Sequence, residues 1–476
     1  MSATQDTAPP GEFRSIRRAL PGGLVPALML FTIIYGLCLT LTLPFNLADG
    51  LLDEGALGLF GVVGNVLFAA LLLMTMLRWC FVHPIAFLGF HRTMEEAPRR
   101  VGHEPFVSIL VPACNEAETM DAAVRSLIAL DYPRYEVVVI DDGSKDDTYA
   151  IAKRHEGDYE NCTVRVHSKP NGGKWSALNF GVANSTGELL LCVDADSRLA
   201  PDTLWIAVAR MQSEPGIVGV AGQVTIRNRV NTLLRLQALE YVLGNGGMRM
   251  AMSQFGVVTI VPGAIGLYRR SIFEQVAALP CNQRPVASHG EDSGKVYGPL
   301  SGETFAEDFQ LSLSCLALGG KVVYEPRAVA FTKGPGGMDS LMSQRYRWMR
   351  GTWQVLRIYL RDLRAHAVTK NPRLDWIVAG CYTIDIFLIP LVNFGFWAWL
   401  AAAAALGVDL GGVLAWLGGI ALLNLMAATV YALAQDDEIV LAPLSLLMDL
   451  YLSIVVNSGW AIAGIDELRG TKMKWH

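Results

Sequence analysis

Two apolar blocks bracket a polar middle, and this arrangement constrains the chain more than any single motif. Leu24 to Phe45 and Leu57 to Trp79 are long and apolar enough for membrane-spanning helices, which need about 20 such residues. The pattern returns over Trp376–Ala405, Gly412–Ala434 and Val440–Ile465. Only 17% of the residues are charged and 52% are hydrophobic, against about 25% charged in an ordinary soluble domain. Disordered, collagen-like and disulfide-rich classes are excluded on that composition. The net charge of −5, without a long Lys/Arg run, argues against a nucleic-acid partner. The eight cysteines form no CxxC pair and the eight histidines are dispersed. Neither a disulfide framework nor a Cys/His metal site is expected.

Charge sets the expected orientation. Arg14, Arg17 and Arg18 precede the first run, and Arg78, His91, Arg92, Arg99 and Arg100 follow the second. Asp49, Asp53 and Glu54 occupy the connection between them. By the positive-inside rule the N-terminus is cytoplasmic, the first two runs form a hairpin, and the chain returns to the cytoplasm. The first run is too long for a cleaved leader and no small-residue cleavage site follows it. At the other end, three spans would put the tail outside, whereas Arg469, Lys472 and Lys474 favour the cytoplasm. Val440–Ile465 contains Pro443, Asp449, Asn457 and Ser458, so this run is expected to be re-entrant or split into two short pieces.

Between the blocks the chain reads as α/β. Val107–Val111, Glu136–Ile140 and Leu189–Val193 are short β-rich runs, while Glu118 to Ala129 and Lys174 to Ala183 have helical periodicity. Strands alternating with helices imply parallel βαβ units, whose ligands bind at the carboxyl ends of the strands. Then Met342, Tyr346, Met349, Trp353, Leu356, Leu360 and Leu363 follow spacings of four and three. Arg347, Arg350, Arg357, Arg361 and Arg364 fall between them. That pattern is a basic amphipathic helix suited to the membrane interface. The expected units are a cytoplasmic N-terminus with a transmembrane hairpin (1–100), a catalytic domain (101–340), an interface helix (341–370), and a C-terminal transmembrane region with its tail (371–476).

Four polar clusters follow strands or open helices, and each alone has a structural use. Pro112-Ala113-Cys114-Asn115-Glu116 could cap a helix, and Asp141-Asp142-Gly143-Ser144 could be a turn. Asp194-Ala195-Asp196 can turn two carboxylates toward one hard cation, as Mg2+ or Mn2+ prefers. Glu307-Asp308 opens a helical run. A fifth element, Asn171-Gly172-Gly173-Lys174, can present backbone N–H groups and an ammonium to phosphate oxygens, although it lacks the Walker spacing. Their joint order is far more specific than any member: it suits a nucleoside diphosphate held by a metal, with a separate carboxylate as base.

That order, closed by Gln344-Arg345-Tyr346-Arg347-Trp348, resembles the processive family 2 glycosyltransferases. These are the membrane-embedded synthases of cellulose, chitin, hyaluronan and poly-N-acetylglucosamine, with three aspartate motifs followed by QxxRW. The likeness covers about Phe106 to Gly351, and the stretches from Asn171 to Asn179 and from Pro262 to Gly266 are most similar to the poly-N-acetylglucosamine branch. The resemblance implies a GT-A-type α/β domain on the cytoplasmic side of the plasma (inner) membrane, inserted between N- and C-terminal transmembrane helices with amphipathic interface helices. It also implies a metal-dependent, inverting hexosyltransferase that polymerises a UDP-sugar, UDP-N-acetylglucosamine in that branch, and exports the β-linked product.

Carried over residue by residue, Pro112, Ala113, Asn115, Glu116 and Asp142 would hold the nucleoside, and Lys174 and Asp194 would line the nucleotide site. Asp196 would bind Mg2+ or Mn2+, and Asp308 would be the general base. Glu307, Gln344, Arg347 and Trp348 would meet the diphosphate and the acceptor, a growing glycan or a lipid. The bilayer is a partner by the same reading, which also leaves room for an accessory subunit. The sequence departs from the family at Cys114, where an aromatic or histidine is common, and at Ala306, where threonine is usual. A polar stretch from about Pro280 to Gly302 reads as an inserted loop. Two other classes compete: a glycolipid synthase moving one sugar to a ceramide or diacylglycerol, and a transporter using Asp385 and Asp449. The transporter reading leaves the ordered motifs unexplained.

Overall fold

The computed structural model describes residues 24–48, 58–95, 102–283, 298–365, 368–382, 386, 388–435 and 437–471. Arg14, Arg17, Arg18, Asp49, Asp53, Glu54, Arg99, Arg100, Asp385, Lys472, Lys474 and most of the expected inserted loop lie outside the described residues.

The middle of the chain builds one mixed sheet of nine strands in the order β3-β4-β2-β1-β5-β8-β7-β9-β6. These are β1 (Val107–Ala113), β2 (Tyr135–Asp142), β3 (Gly157–Asp158), β4 (Cys162–Lys169), β5 (Leu189–Cys192), β6 (Arg198–Leu199), β7 (Ile217–Ile226), β8 (Gly266–Arg269) and β9 (Lys321–Thr332). Strands β4, β2, β1 and β5 run parallel; β1 and β5 are near-continuously apolar, as burial on both faces requires, whereas β4 alternates buried and more exposed residues. β8 enters antiparallel beside β5. The expected run Leu189–Val193 therefore ends one residue early, at Cys192.

The two-residue period of the strands divides the interior into two cores. Ile109, Val111, Val137 and Val139 face one, while Leu110, Val138 and Ile140 face the other. The second core does not stop at the domain edge. It runs on through Phe87, Phe90, Tyr431, Met448 and Val455, which belong to the flanking apolar helices.

Those helices include α1 (Leu24–Ala48), α2 (Leu59–Leu77), α7 (Ile389–Ala405) and α8 (Gly411–Ala434), followed by the last apolar run. α2 continues through a π turn at Arg78–Val82 into His83–Glu95, well beyond the expected end at Trp79. Leu59–Thr93, Gly411–Ala434 and Ile439–Leu468 are each long and apolar enough to cross a membrane. Within the expected span Trp376–Ala405, the regular helix begins only at Ile389, after a π turn over Ile377–Tyr382.

The last apolar run corrects the sequence-based expectation. Ile439–Leu468 is one helical run, not two pieces: 3-10 turns carry Pro443, and a π turn spans Leu452–Asn457. Within it the Ser453 hydroxyl finds partners in protein, lying 2.7 Å from Asp449 O and 2.8 Å from Asn393 Oδ1. Both ends are bonded to the sheet domain and the helix that follows it. Arg229 donates to Asp437 at 2.9 Å just before the run, and the Tyr346 hydroxyl donates to Asp466 at 2.7 Å near its end.

Close helix approach needs small residues at the contact. A Cβ on Gly64 of α2 would sit 2.0 Å from the Trp399 ring of α7. The indole N–H donates to Phe60 O at 3.0 Å, so the ring cannot swing away without losing a hydrogen bond. Gly64→Ala is expected to cost about 1–3 kcal/mol by overpacking and to lower the melting temperature in detergent. Gly418→Ala, where a Cβ meets nothing within 4 Å, is the control expected to melt like the unaltered protein.

Candidate active site

The register brings the polar clusters to one edge. Ala113 lies beside Asp141 across β1 and β2, and Leu110 beside Cys192 across β1 and β5. The segments after these three parallel strands therefore emerge together, where ligands of such sheets bind.

After β1, Asn115 adopts φ 57°, a left-handed conformation that asparagine tolerates better than most residues. Its N–H donates to Ser144 Oγ at 2.9 Å, and its Oδ1 accepts from the Lys145 N–H at 2.8 Å. Asn115 thus ties the β1 loop to the β2 loop. Pro112 lines the inner cavity, whereas Asn115 and Glu116 line the outer cleft. Ala113 is buried within β1. Burial raises the Glu116 carboxyl, partly offset by the Thr119 hydroxyl 3.0 Å away.

Asp142 is 2% exposed and its carboxylate is fully engaged. It accepts from Lys169 Nζ at 2.6 Å, from the Gly172 N–H at 3.0 Å and from the Gly173 N–H at 2.7 Å. Expected as a nucleoside contact, it also shapes the turn that starts α3 (Lys174–Ala183), with Gly173 at φ 89° as the residue before the helix. Only glycine takes that conformation without strain.

That turn aims Lys174. Its ammonium lies 2.6 Å from Asp194 and 3.0 Å from Glu307. Burial works against the ammonium, yet Asp194, Glu307 and Asp308 hold its pKa well above the ordinary value. Gly263 makes room, since a Cβ there would lie 2.5 Å from Lys174 Nζ. Glu307 and Asp308 open α5 (Glu307–Ala317), after α4 (Thr232–Gly244) in chain order. Asp308 is pushed up to about 6, first by burial and then by the Glu307 charge. Glu307, expected among the acceptor contacts, is buried and paired with Lys174 in the inner cavity.

The outer cleft gathers Glu116, Asp196 and Lys333 with Gln344 and Arg347, the last two on α6 (Met338–Ile358). Asp196 lies 3.1 Å from the Ser197 hydroxyl and 3.3 Å from that of Thr332. Burial, then the neighbouring Asp194, raises its carboxyl. Gln344 has a buried Oε1 with no hydrogen-bond partner among the described residues. Trp348 is 42% exposed. Arg350, expected on the polar face of this helix, is 4% exposed and donates to Glu467 at 3.2 Å. The reason is that α6 packs against Ser458–Leu468, with Met349 over Gly459 and Trp353 over Gly464.

Among the described residues, no three His, Cys, Asp or Glu side chains converge as a metal cluster. The site still fits a hard divalent cation: Asp196 offers oxygen in a cleft, crowded by like charge. Mg2+ is commonly held by one or two carboxylates, with phosphates and waters completing the shell.

Residues 108–277 match the family model described as glycosyl transferase family 2. This segment is a family 2 glycosyltransferase domain. Similar curated proteins include the poly-beta-1,6-N-acetyl-D-glucosamine synthases of Staphylococcus epidermidis, 28% identical over 269 residues, and of Staphylococcus aureus (strain COL), 26% identical over 265 residues. Each alignment covers 56% of this chain and 58% of the relative, so the chain spans little more than half the length of these relatives. A mannosyltransferase from Pyrobaculum calidifontis, solved in complex with GDP-Man and Mn2+, superposes with a TM-score of 0.55 at 20% identity. That likeness covers 85% of this chain and all of the other, and it shows the same fold.

Sequence reasoning on the glycosyltransferase domain missed Lys169, Lys333 and Arg345. Lys169 stands two residues before the Asn171-Gly172-Gly173 turn, a placement that could have signalled its pairing with Asp142. Asp142→Ala would strand the Lys169 ammonium and two backbone N–H groups. The expected loss is about 2–3 kcal/mol, at the lower end for a broken pair because Lys169 keeps some solvent. Thermal melting checks this; an unchanged melting temperature would mean that the carboxylate serves a ligand alone.

Proposed function

We propose that the chain is a processive, inverting glycosyltransferase that polymerises a UDP-sugar, UDP-N-acetylglucosamine being the donor, into a β-linked polysaccharide and exports it through its membrane helices. The observation that carries this reading is the adjacency of two sites at one sheet edge. A carboxylate cluster bridged by Lys174, with a raised carboxyl at Asp308, lies inside, and a cleft with Asp196, Gln344 and Arg347 lies outside. The likeness to poly-beta-1,6-N-acetyl-D-glucosamine synthases supports the choice of sugar.

The chemistry is a single displacement. Asp308 accepts the proton of the acceptor hydroxyl as that oxygen bonds to the anomeric carbon and the bond to the diphosphate breaks, releasing UDP. A carboxyl near 6 is well matched to this task. Lys174 pairs with Asp194 and Glu307 beside it. Arg347 and Lys333 bind diphosphate oxygens from the cleft wall, and Trp348 offers a flat face to a sugar ring. Asp196 would hold Mg2+ or Mn2+, which would supply Lewis-acid stabilisation of the leaving diphosphate.

The test is purified protein with single radiolabelled UDP-sugars, with and without EDTA, followed by product sizing. Long polymer that fails to form in EDTA is expected, whereas single-sugar lipid products would overturn the polymerase reading. The basic form of Asp308 is lost as pH falls through about 6, so kcat should fall on that acid limb. Asp308→Asn should keep donor binding, slow transfer by about 10²–10⁴-fold and abolish the limb. Near-normal transfer by this variant would place the base elsewhere.

The membrane arrangement follows the same reading. α1 and α2 form one crossing pair and α7 and α8 another, while 437–471 stays with the domain because both of its ends are bonded there. The bilayer is the cytoplasmic (inner) membrane, and the catalytic domain and C-terminal end lie on its cytoplasmic face. On an otherwise cysteine-free chain, Leu406→Cys should react with an impermeant maleimide from outside spheroplasts. Leu468→Cys should react only after permeabilisation. Labelling of both from outside would mean a fifth crossing.

A further inference from the structure

Arg345 is among the largest fully buried side chains of the molecule, 2% exposed, although it sits one turn from the exposed Trp348 on α6. Its Nη2 donates to Glu240 Oε2 of α4 at 2.6 Å. The same oxygen accepts from the Tyr451 hydroxyl at 2.8 Å, and Tyr451 belongs to the C-terminal apolar run. The guanidinium carbon lies 4.4 Å from the centroid of the Trp348 ring and 6.0 Å from that of Tyr241.

A buried ion pair is a poor source of stability, because desolvation consumes most of its Coulombic gain. Such a pair can still define geometry, and a guanidinium is planar and fit to stack, which an ammonium is not. One face of the Trp348 indole is backed by this cation, while the residue remains 42% exposed. Cation–π attraction at this distance holds a ring against its neighbour.

We propose that Arg345 is a positioning residue for Trp348. Glu240 holds the guanidinium, Tyr451 holds Glu240, and the guanidinium fixes the indole so that its free face is presented to the acceptor end of the glycan. The C-terminal apolar run is thereby part of the acceptor site without touching the acceptor. The inference rests on the reading of Trp348 as an acceptor contact.

The experiment uses the full chain in detergent, with a short N-acetylglucosamine oligosaccharide as added acceptor and UDP release and product length as readouts. Arg345→Lys keeps the charge beside Glu240 and removes the planar stack. It should raise KM for the oligosaccharide by about tenfold or more and shorten the product. Donor KM should stay within about twofold and melting within a few degrees. Tyr451→Phe, which deletes one hydrogen bond and little volume, should give a smaller defect of the same kind, and it serves if Arg345→Lys does not fold. Trp348→Ala should show the acceptor defect in full, and Arg345→Lys should add nothing to it, as expected for residues acting through one another. An acceptor defect in Trp348→Ala with normal Arg345→Lys and Tyr451→Phe would overturn the positioning role alone. Unaltered acceptor KM and length in Trp348→Ala would overturn the reading on which the inference rests. Equal loss of donor and acceptor parameters together with a large melting shift would reduce Arg345 to a structural residue and also overturn it.

Discussion

Three carboxyl groups from two chain segments can share one pocket only because the Lys174 ammonium is among them. Asp194 comes from the end of β5, Glu307 and Asp308 from the first turn of α5, and Lys174 from the first turn of α3. Two like charges at 4 Å repel by about 4 kcal/mol at an effective dielectric near 20. A lone carboxylate pair would therefore spread or take up protons. With the cation in place, Asp194 and Glu307 are held by direct contact, and Asp308 is left as the group whose charge is least favoured. The proposed division of labour, one carboxyl as base and its neighbours as frame, follows from that asymmetry.

The same pocket depends on backbone that admits no side chain. Gly263 allows the segment before β8 to approach Lys174, and Gly173 turns the chain so that α3 starts at the pocket. Asp142 and Lys169 brace this turn from the end of the neighbouring strands. What reads as a row of separate motifs is one mechanical unit.

Rigid joining of this unit to the apolar helices is the second constraint. One face of the sheet shares its core with them, and a buried polar chain crosses the junction. Tyr324 donates to Gln223, Gln223 donates to Gln435 at 2.7 Å, and Gln435 donates to Val242 O at 2.7 Å. Buried polar networks that are satisfied in this way hold a unique arrangement. A domain so attached keeps its cleft at a constant position relative to the helices, as the proposed export of product requires.

The alternation of β-rich runs with helical periodicity was enough to place β1, β2, β5 and α3, because burial on both faces demands apolar runs and a helix demands its own period; strand β4, with Arg165, His167 and Lys169 among its residues, gave no such run. The order of the acidic motifs was enough to place them at one sheet edge, because parallel strands all end on the same side. The apolar blocks likewise declared their helices. Residue spacing could not tell that Asp142 bonds to Lys169 and two backbone N–H groups, nor that Glu307 pairs with Lys174. It could not tell that Arg345 is buried against Glu240, or that Arg350 leaves the polar face of α6 for Glu467. Nor could it show that the last apolar run lies back along the domain. Hydrophobic period is a local property written into neighbouring residues, whereas the partner of a charge comes from chain 27 positions away for Asp142 and more than a hundred away for Arg345 and Arg350, and only tertiary packing decides which charge arrives.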